Sequence, residues 1–245
     1  MHTGTTFNFS HENVIEMDTR FWGPSGWQLF HWVSFRAKDP QEFLRRMPEI
    51  LPCKFCRAST SEYVKEHPLK GDPGKWLYDI HNMVNNKLRT QCKDDPKVIN
   101  PGPDPSFEEV KKKYENMDIK GVLGRDFLFS IAANYPDQPS ESDTATQKGF
   151  LTSLEKVYPG VSGHIDMNLT SRKTYMKSMY LFLKSVAGKS KMPTYRGYVN
   201  RVMYYKSGCA KKTYKGKTCR RSSNGKMTKA RDNNRTRRVT EGALL

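Results

Sequence analysis

The chain has 245 residues, 36 % of them hydrophobic and 11 % aromatic. That excludes a wholly disordered chain and supports a folded part of roughly 200 residues with a polar tail. Net charge is +17, but Arg201 to Leu245 holds fourteen Lys and Arg against two acids, so only +5 belongs to everything before it. Two readings of this basic end stand: a solvated, disordered tail, or an electrostatic arm for nucleic acid, an anionic surface or an acidic partner. No window approaches about eighteen apolar residues, so no membrane-spanning helix is expected. The stretch Met1–Thr6 has neither a basic start nor an apolar run, so no signal peptide is expected. The sequons at Asn8 and Asn168 then carry little. Five cysteines are too few and too scattered for a disulfide-stapled scaffold.

Residues 1–18 read as irregular. Ser25 is an N-cap candidate after Gly23-Pro24, and Trp27, Phe30, Val33 and Ala37 recur at helical spacing until Asp39-Pro40. A second helix is expected over 40–49, with Phe43, Leu44 and Met47 on one face. Pro52 opens a third, which runs from Cys53 to Glu66 without a breaker. After the turn Gly71-Asp72-Pro73-Gly74, residues Trp76, Leu77, Ile80, Val84 and Leu88 trace a fourth. Prolines 96, 101, 103 and 105 mark a loop, and a short charged helix follows over 106–116. Short loops between these helices favour antiparallel neighbours in a bundle.

The second half also reads as helical, over 127–135, 144–157 and 170–187. Leu128 to Ala132 echoes Leu29 to Val33, and Val157 to Gly163 echoes Ile50 to Cys56 with glycines in place of the cysteines. Two readings stand: a degenerate second copy of the first bundle, or the common patterning of any two helical bundles. From Gly188 the chain is expected to loosen, and from Arg220 it has almost nothing apolar to bury.

Three constellations carry chemistry. The first is Cys53-Lys54-Phe55-Cys56-Arg57. Cations beside a helix start stabilise thiolate over thiol, and the two-residue gap lets the sulfurs close a small ring and exchange. A thioredoxin-like setting needs a preceding strand, where this chain has a helix. A zinc site needs two further ligands, and Cys209 and Cys219, the only other pair, lie in the tail at a loose spacing. The second is the helix Trp76 to Leu88. His81 and Asn85 share a face, with Asn82 and Lys87 beside them, next to an apolar stripe. That suits a helix packed on a planar, phosphate-bearing cofactor: imidazole stacks, amides bond edges, and a lysine meets phosphate. Without context, such residues are more often surface or capping groups. The third is Phe21 to His31. Gly23 and Gly26 allow close backbone approach, and Trp22, Trp27 and His31 offer flat surfaces, although a pair of core tryptophans is the plainer role.

Trp22-Gly23, Trp27 and His31, then Cys53/Cys56, then His81-Asn82-Met83-Val84-Asn85-Asn86-Lys87-Leu88 resemble, in this order and spacing, the Erv/ALR family of FAD-linked sulfhydryl oxidases. The resemblance covers about residues 20–116. It implies an all-α chain with a five-helix FAD-binding bundle over 19–117. A second helical domain without redox cysteines, degenerate Erv-like in one reading, would follow over 118–206, and a disordered basic tail over 207–245. Cys56 would lie against the flavin and Cys53 would exchange with the substrate. Trp22, Gly23, Pro24, Ser25, Gly26, Trp27, His31 and Phe35 would line one side of FAD. His81, Asn82, Val84, Asn85, Lys87 and Leu88 would hold its adenine and phosphates. The implied reaction turns protein dithiols and oxygen into disulfides and hydrogen peroxide.

Many members carry a structural cysteine where this chain has Tyr78, so Cys92 is expected to be a free thiol or to pair elsewhere. Cys209 and Cys219 are candidates for a shuttle disulfide or for a local structural one, and no metal is expected. The two-domain layout resembles the oxidases of large DNA viruses and quiescin sulfhydryl oxidases. That implies a cytoplasmic enzyme of virion assembly, with a homodimer as one expected state. The competing class is a catalytically inert helical protein whose tail binds nucleic acid or virion components.

Overall fold

A computed structural model of the chain describes residues 15–95, 98–161, 164–188, 190 and 192–207. Ten helices order the described residues: α1 (Thr19–Arg36), α2 (Gln41–Arg45), α3 (Met47–Ile50), α4 (Lys54–Glu66), α5 (Pro73–Gln91), α6 (Phe107–Glu115), α7 (Arg125–Asn134), α8 (Glu141–Val157), α9 (Arg172–Val186) and α10 (Tyr195–Tyr204). No strand occurs among them; Met17 and Lys206 make one isolated antiparallel bridge. None of the described helices is long and apolar enough to cross a membrane. The all-α expectation holds. Residues 208–245, including Cys209, Cys219 and nearly all of the expected tail, lie outside the described residues, as do 1–14.

Helix boundaries follow local chemistry. Asp18 caps α1 by accepting from the Arg20 amide, seven residues before the expected cap at Ser25. Pro24 thus sits inside α1 and removes one backbone donor, which the packing of this helix on two sides offsets. The helix expected over 40–49 divides into α2 and α3, because Pro48 at the second position of α3 cannot continue the earlier ladder. Asp72 caps α5 and Pro73 opens it, while Ser106 and Glu109 close a capping box on α6. The expectation that the chain loosens from Gly188 is corrected. Tyr195–Tyr204 is a helix, capped by Thr194, that buries Tyr198 and Val202. Aromatic anchoring, not aliphatic periodicity, holds it.

The long helix α1 organises the rest because both of its sides are covered. At about 100° per residue, Trp27, His31 and Phe35 share one side, and Trp22, Gly26, Leu29, Phe30 and Val33 share the opposite one. The first side meets α5 and α6, through His31 against His81 and Tyr114. The second meets α7, with Phe127 against Trp22 and Phe30. One hydrophobic cluster therefore runs through both halves of the chain. The proposed echo of α1 is α7, its own packing partner. The second echo diverges, since α4 begins straight after Cys53, whereas no helix follows Val157 among the described residues until Arg172.

The approach of α7 to α1 depends on Gly124, which caps α7 in the left-handed region at φ +67°. A Cβ there would lie 2.7 Å from Leu29 Cδ2. Gly124→Ala is expected to lose about 1–2 kcal/mol from the backbone alone, and more from the overlap. Equilibrium urea unfolding of the variant measures this, and an unchanged midpoint would show that the two helices are not in contact at this point.

Candidate active site

Cys53 is the N-cap of α4, and its Sγ accepts from the Cys56 amide at 3.3 Å. The chain bends at Pro52, with the Cys53 amide donating back to the Leu51 carbonyl at 2.8 Å, and Cys53 itself is extended. Cys53, Cys56 and Cys92 are free thiols. Cys53 is buried, whereas Cys56 is half-buried. The contact with Cys53 and burial push the Cys56 thiol well above its ordinary value, and the Glu16 carboxylate adds to this against Lys87. The expected lowering of this thiol by its neighbours is therefore corrected. The Arg57 guanidinium, one of the cations expected to favour the thiolate, donates instead to Glu16 Oε1 at 2.9 Å, to the Leu51 carbonyl at 2.6 Å and to Asn134 Oδ1 at 3.2 Å. Its charge is spent on a carboxylate.

Helix α5 carries the second constellation. His81 Nδ1 and His31 Nε2 are 2.8 Å apart and buried, one donating to the other. Trp27 stacks on His81 with ring centres 3.7 Å apart and planes within 10°. Tyr114 stacks on His31 at 4.9 Å, and Phe35 lies between Tyr114 and Phe107. Phe35 also packs so tightly on α5 that a Cβ at Gly74 would meet its ring at 2.4 Å, which is why the two helices can hold the histidines together. Burial lowers both histidines, His81 to about 3; the charge of Lys113 acts in the same direction on each, and for His31 so does His81. Both rings are therefore neutral at physiological pH, and their mutual hydrogen bond requires a neutral partner. His31 Nδ1 and Asn82 Oδ1 are buried with no hydrogen-bond partner.

Further along α5, Lys87 donates to Ser59 Oγ of α4 at 2.9 Å, and its charge acts on the Cys56 thiol. His81 and Lys87 are six residues apart, about 9 Å of helix. One helix thus joins the aromatic cluster to the thiols. Asn85 is buried and donates to Asp104 Oδ1 at 2.8 Å, beside the Arg89–Asp104 ion pair. Val84 and Leu88 are half-buried on the same helix. Tyr78 ties α5 to the following loop by donating to the Pro105 carbonyl at 2.8 Å. Cys92 caps the end of α5, its thiol on the Arg89 carbonyl.

The residues expected along one side of a cofactor divide between the two sides of α1. Trp27, His31 and Phe35 gather with His81. Trp22, Ser25 and Gly26 meet α7: Trp22 donates to the Met17 carbonyl and packs on Phe127, Ser25 Oγ accepts from the Asp126 and Phe127 amides, and Gly26 faces the Phe127 ring. Gly23 has open space where a Cβ would stand, and Pro24 is half-buried beside it. Sequence reasoning passed over Glu16, Ser59, Asp104, Lys113 and Tyr114. Tyr114 lies one turn after Val110 on the expected α6 and was findable by periodicity; Glu16 had no local signal. Among the described residues no cluster of three His, Cys, Asp or Glu side chains is placed to hold a metal ion.

Residues 24–101 match the model of the Erv1 / Alr family. The chain is 29 % identical over 93 residues to the mitochondrial FAD-linked sulfhydryl oxidase ERV1 of Saccharomyces cerevisiae, a match spanning 33 % of this chain and 49 % of that protein. It is 27 % identical over 114 residues to the FAD-linked sulfhydryl oxidase of African swine fever virus (Warthog/Namibia isolate), spanning 41 % of this chain and 86 % of the viral one. A putative FAD-linked sulfhydryl oxidase 347L of Invertebrate iridescent virus 6 is 28 % identical over 96 residues, 31 % of this chain and 86 % of its own length. The chain thus spans about half the length of the yeast relative. No solved structure matches the chain.

The buried histidines set a pH dependence. An unfolded histidine titrates near 6.5, whereas His81 in the fold titrates at about 3. Between these values the unfolded chain binds more protons, so this contribution to stability is present above pH 6.5 and is lost as pH falls towards 3. Thermal melts between pH 7 and 4 are expected to show falling stability. His81→Phe is expected to flatten that slope by up to about 1.4 kcal/mol per pH unit; an equally steep variant would mean that His81 is not held neutral.

Proposed function

We propose that this chain, whose residues 24–101 match the model of the Erv1 / Alr family, is an FAD-dependent sulfhydryl oxidase that turns protein dithiols into disulfides with oxygen as acceptor. The observation that carries this reading is the course of α5, which presents His81 and Asn82 to an aromatic cluster and Lys87 to the helix bearing Cys53 and Cys56. The residues fit FAD. Trp27 and His81 offer flat neutral surfaces, and His31 Nδ1 and Asn82 Oδ1 are buried polar atoms in want of partners. Lys87 and Lys113 supply cations for phosphates. When bound, FAD accepts an electron pair from the thiols and returns it to oxygen, giving hydrogen peroxide.

The chain's own residues perform the exchange. In the oxidised pair, a substrate thiolate attacks Cys53 Sγ, the Cys53–Cys56 bond breaks, and Cys56 leaves as thiolate. Lys87 stabilises that leaving charge. A second substrate thiol then attacks the mixed disulfide, releasing the substrate disulfide and Cys53. The half-buried Cys56 faces Lys87 and α5, which supports it as the thiol next to the flavin. Cys53 is deeper, bonded over on both flanks: Met17 N–H donates to the Pro52 carbonyl at 2.9 Å, and Glu16 accepts from the Lys54 amide at 2.7 Å.

Residues 19–117 form the oxidase unit in this reading, and 118–206 form a cysteine-free helical segment that buttresses α1 and the redox loop. The viral relatives support an enzyme of a large DNA virus acting on virion proteins in the cytoplasm of the infected cell. The basic charge beyond Arg201 supports an anionic partner such as nucleic acid, and the resemblance supports a homodimer.

The purified chain is expected to be yellow and to consume oxygen with dithiothreitol, whereas Cys56→Ser stays yellow and falls to background. Absorbance spectra beside an oxygen electrode make this test. A colourless protein that is inert after FAD is added would end the oxidase reading.

A further inference from the structure

The redox loop is held by a residue outside the family segment. Glu16 is buried, in an extended stretch before α1. Its side chain spans the first turn of α4: Oε2 accepts the Lys54 amide at 2.7 Å, and Oε1 accepts the Arg57 guanidinium at 2.9 Å. Its own carbonyl accepts the Ser207 amide at 2.7 Å, and the neighbouring Asp18 amide donates to the Tyr205 carbonyl at 2.9 Å. Arg57 in turn reaches Asn134 of α7, whose amide donates to the Ile15 carbonyl at 3.0 Å. Residues from three distant parts of the chain thus converge on the Cys53–Cys56 turn.

We propose that Glu16 is a positioning residue of the redox pair: its carboxylate fixes the first turn of α4 and sets the charge that Cys56 meets. A carboxylate at a helix N-terminus is favourable for the helix, but here it occupies the amide and the cation that would otherwise favour a thiolate. The charged and titratable groups facing Cys56 are Cys53, Lys54 and Arg57 on its own segment, Lys87 from α5 and Glu16 from the extended stretch. Glu16 is the only carboxylate in this set. Removing it takes away that negative charge and uncouples Arg57 from it, and both changes act in one direction. Cys56 is thereby kept as a protonated thiol when reduced, until a partner or cofactor draws on it.

This deepens the oxidase reading but is read without turnover, so either can fail alone. The reduced full-length chain, kept anaerobic, is alkylated with iodoacetamide across pH, and the Cys53–Cys56 peptide is followed by mass spectrometry, separately from Cys92, Cys209 and Cys219. Glu16→Gln is expected to lower the pH midpoint of alkylation by about one unit. Glu16→Asp is expected to stay near the wild type, and Arg57→Gln to move the midpoint upward. A purely structural ion pair would shift the Gln variants at both positions the same way, and that result overturns the proposal. So does an unmoved midpoint in Glu16→Gln, or loss of its helical circular dichroism, which would make Glu16 a stability residue only.

Discussion

The burial of α1 on two sides is the constraint from which the rest of the structure follows. A helix with apolar and aromatic residues all round must be covered all round. This chain covers α1 with α5 and α6 on one side and with α7 on the other. The first covering brings His31 to His81 and so creates the neutral, hydrogen-bonded pair beneath Trp27. The second uses up Trp22, Ser25 and Gly26 as packing and capping groups. The cysteine-free half of the chain is therefore part of the same core as the family segment.

The thiols depend on that same second half by a different route. Their turn is joined to residues 15–18, these to 205–207, and Arg57 to Asn134 on α7. Such a turn is over-determined by bonds from distant segments, which suits a site whose sulfurs must keep one geometry through repeated exchange. The histidine cluster and the thiols are joined along α5, a rigid element that spans about 9 Å between His81 and Lys87. Placing both constellations along one helix holds their separation without needing a disulfide at Tyr78, where a hydroxyl bond to Pro105 serves instead.

Much of this was legible along the chain. The helical class, the CxxC at a helix start, and the His81-Asn82-Asn85-Lys87 face all depend on residues within a turn or two of one another, and local periodicity and capping chemistry report such relations well. Boundaries were less legible where a local signal misled. Gly23-Pro24 looks like a helix start, yet Asp18 caps the helix earlier and packing carries it past the proline. Tyrosine-rich α10 was missed because its anchors, Tyr198 on Phe129 and Tyr205 on Phe21, lie across the fold from it.

The sequence by itself determined which residue types could do redox and cofactor chemistry, and that they would stand on helices, because those properties belong to side chains and near neighbours. Only the tertiary structure decided which partners they have. It parted Trp22 from Trp27, paired His31 with His81, committed Asn85 to Asp104, and brought Glu16 to the Lys54 amide and the Arg57 guanidinium beside the thiols. Periodicity tells which face of a helix is buried, but not what covers that face. The charge felt by a thiol is set by groups a few ångströms off, which here include Glu16, 41 residues before its partner Arg57 in sequence.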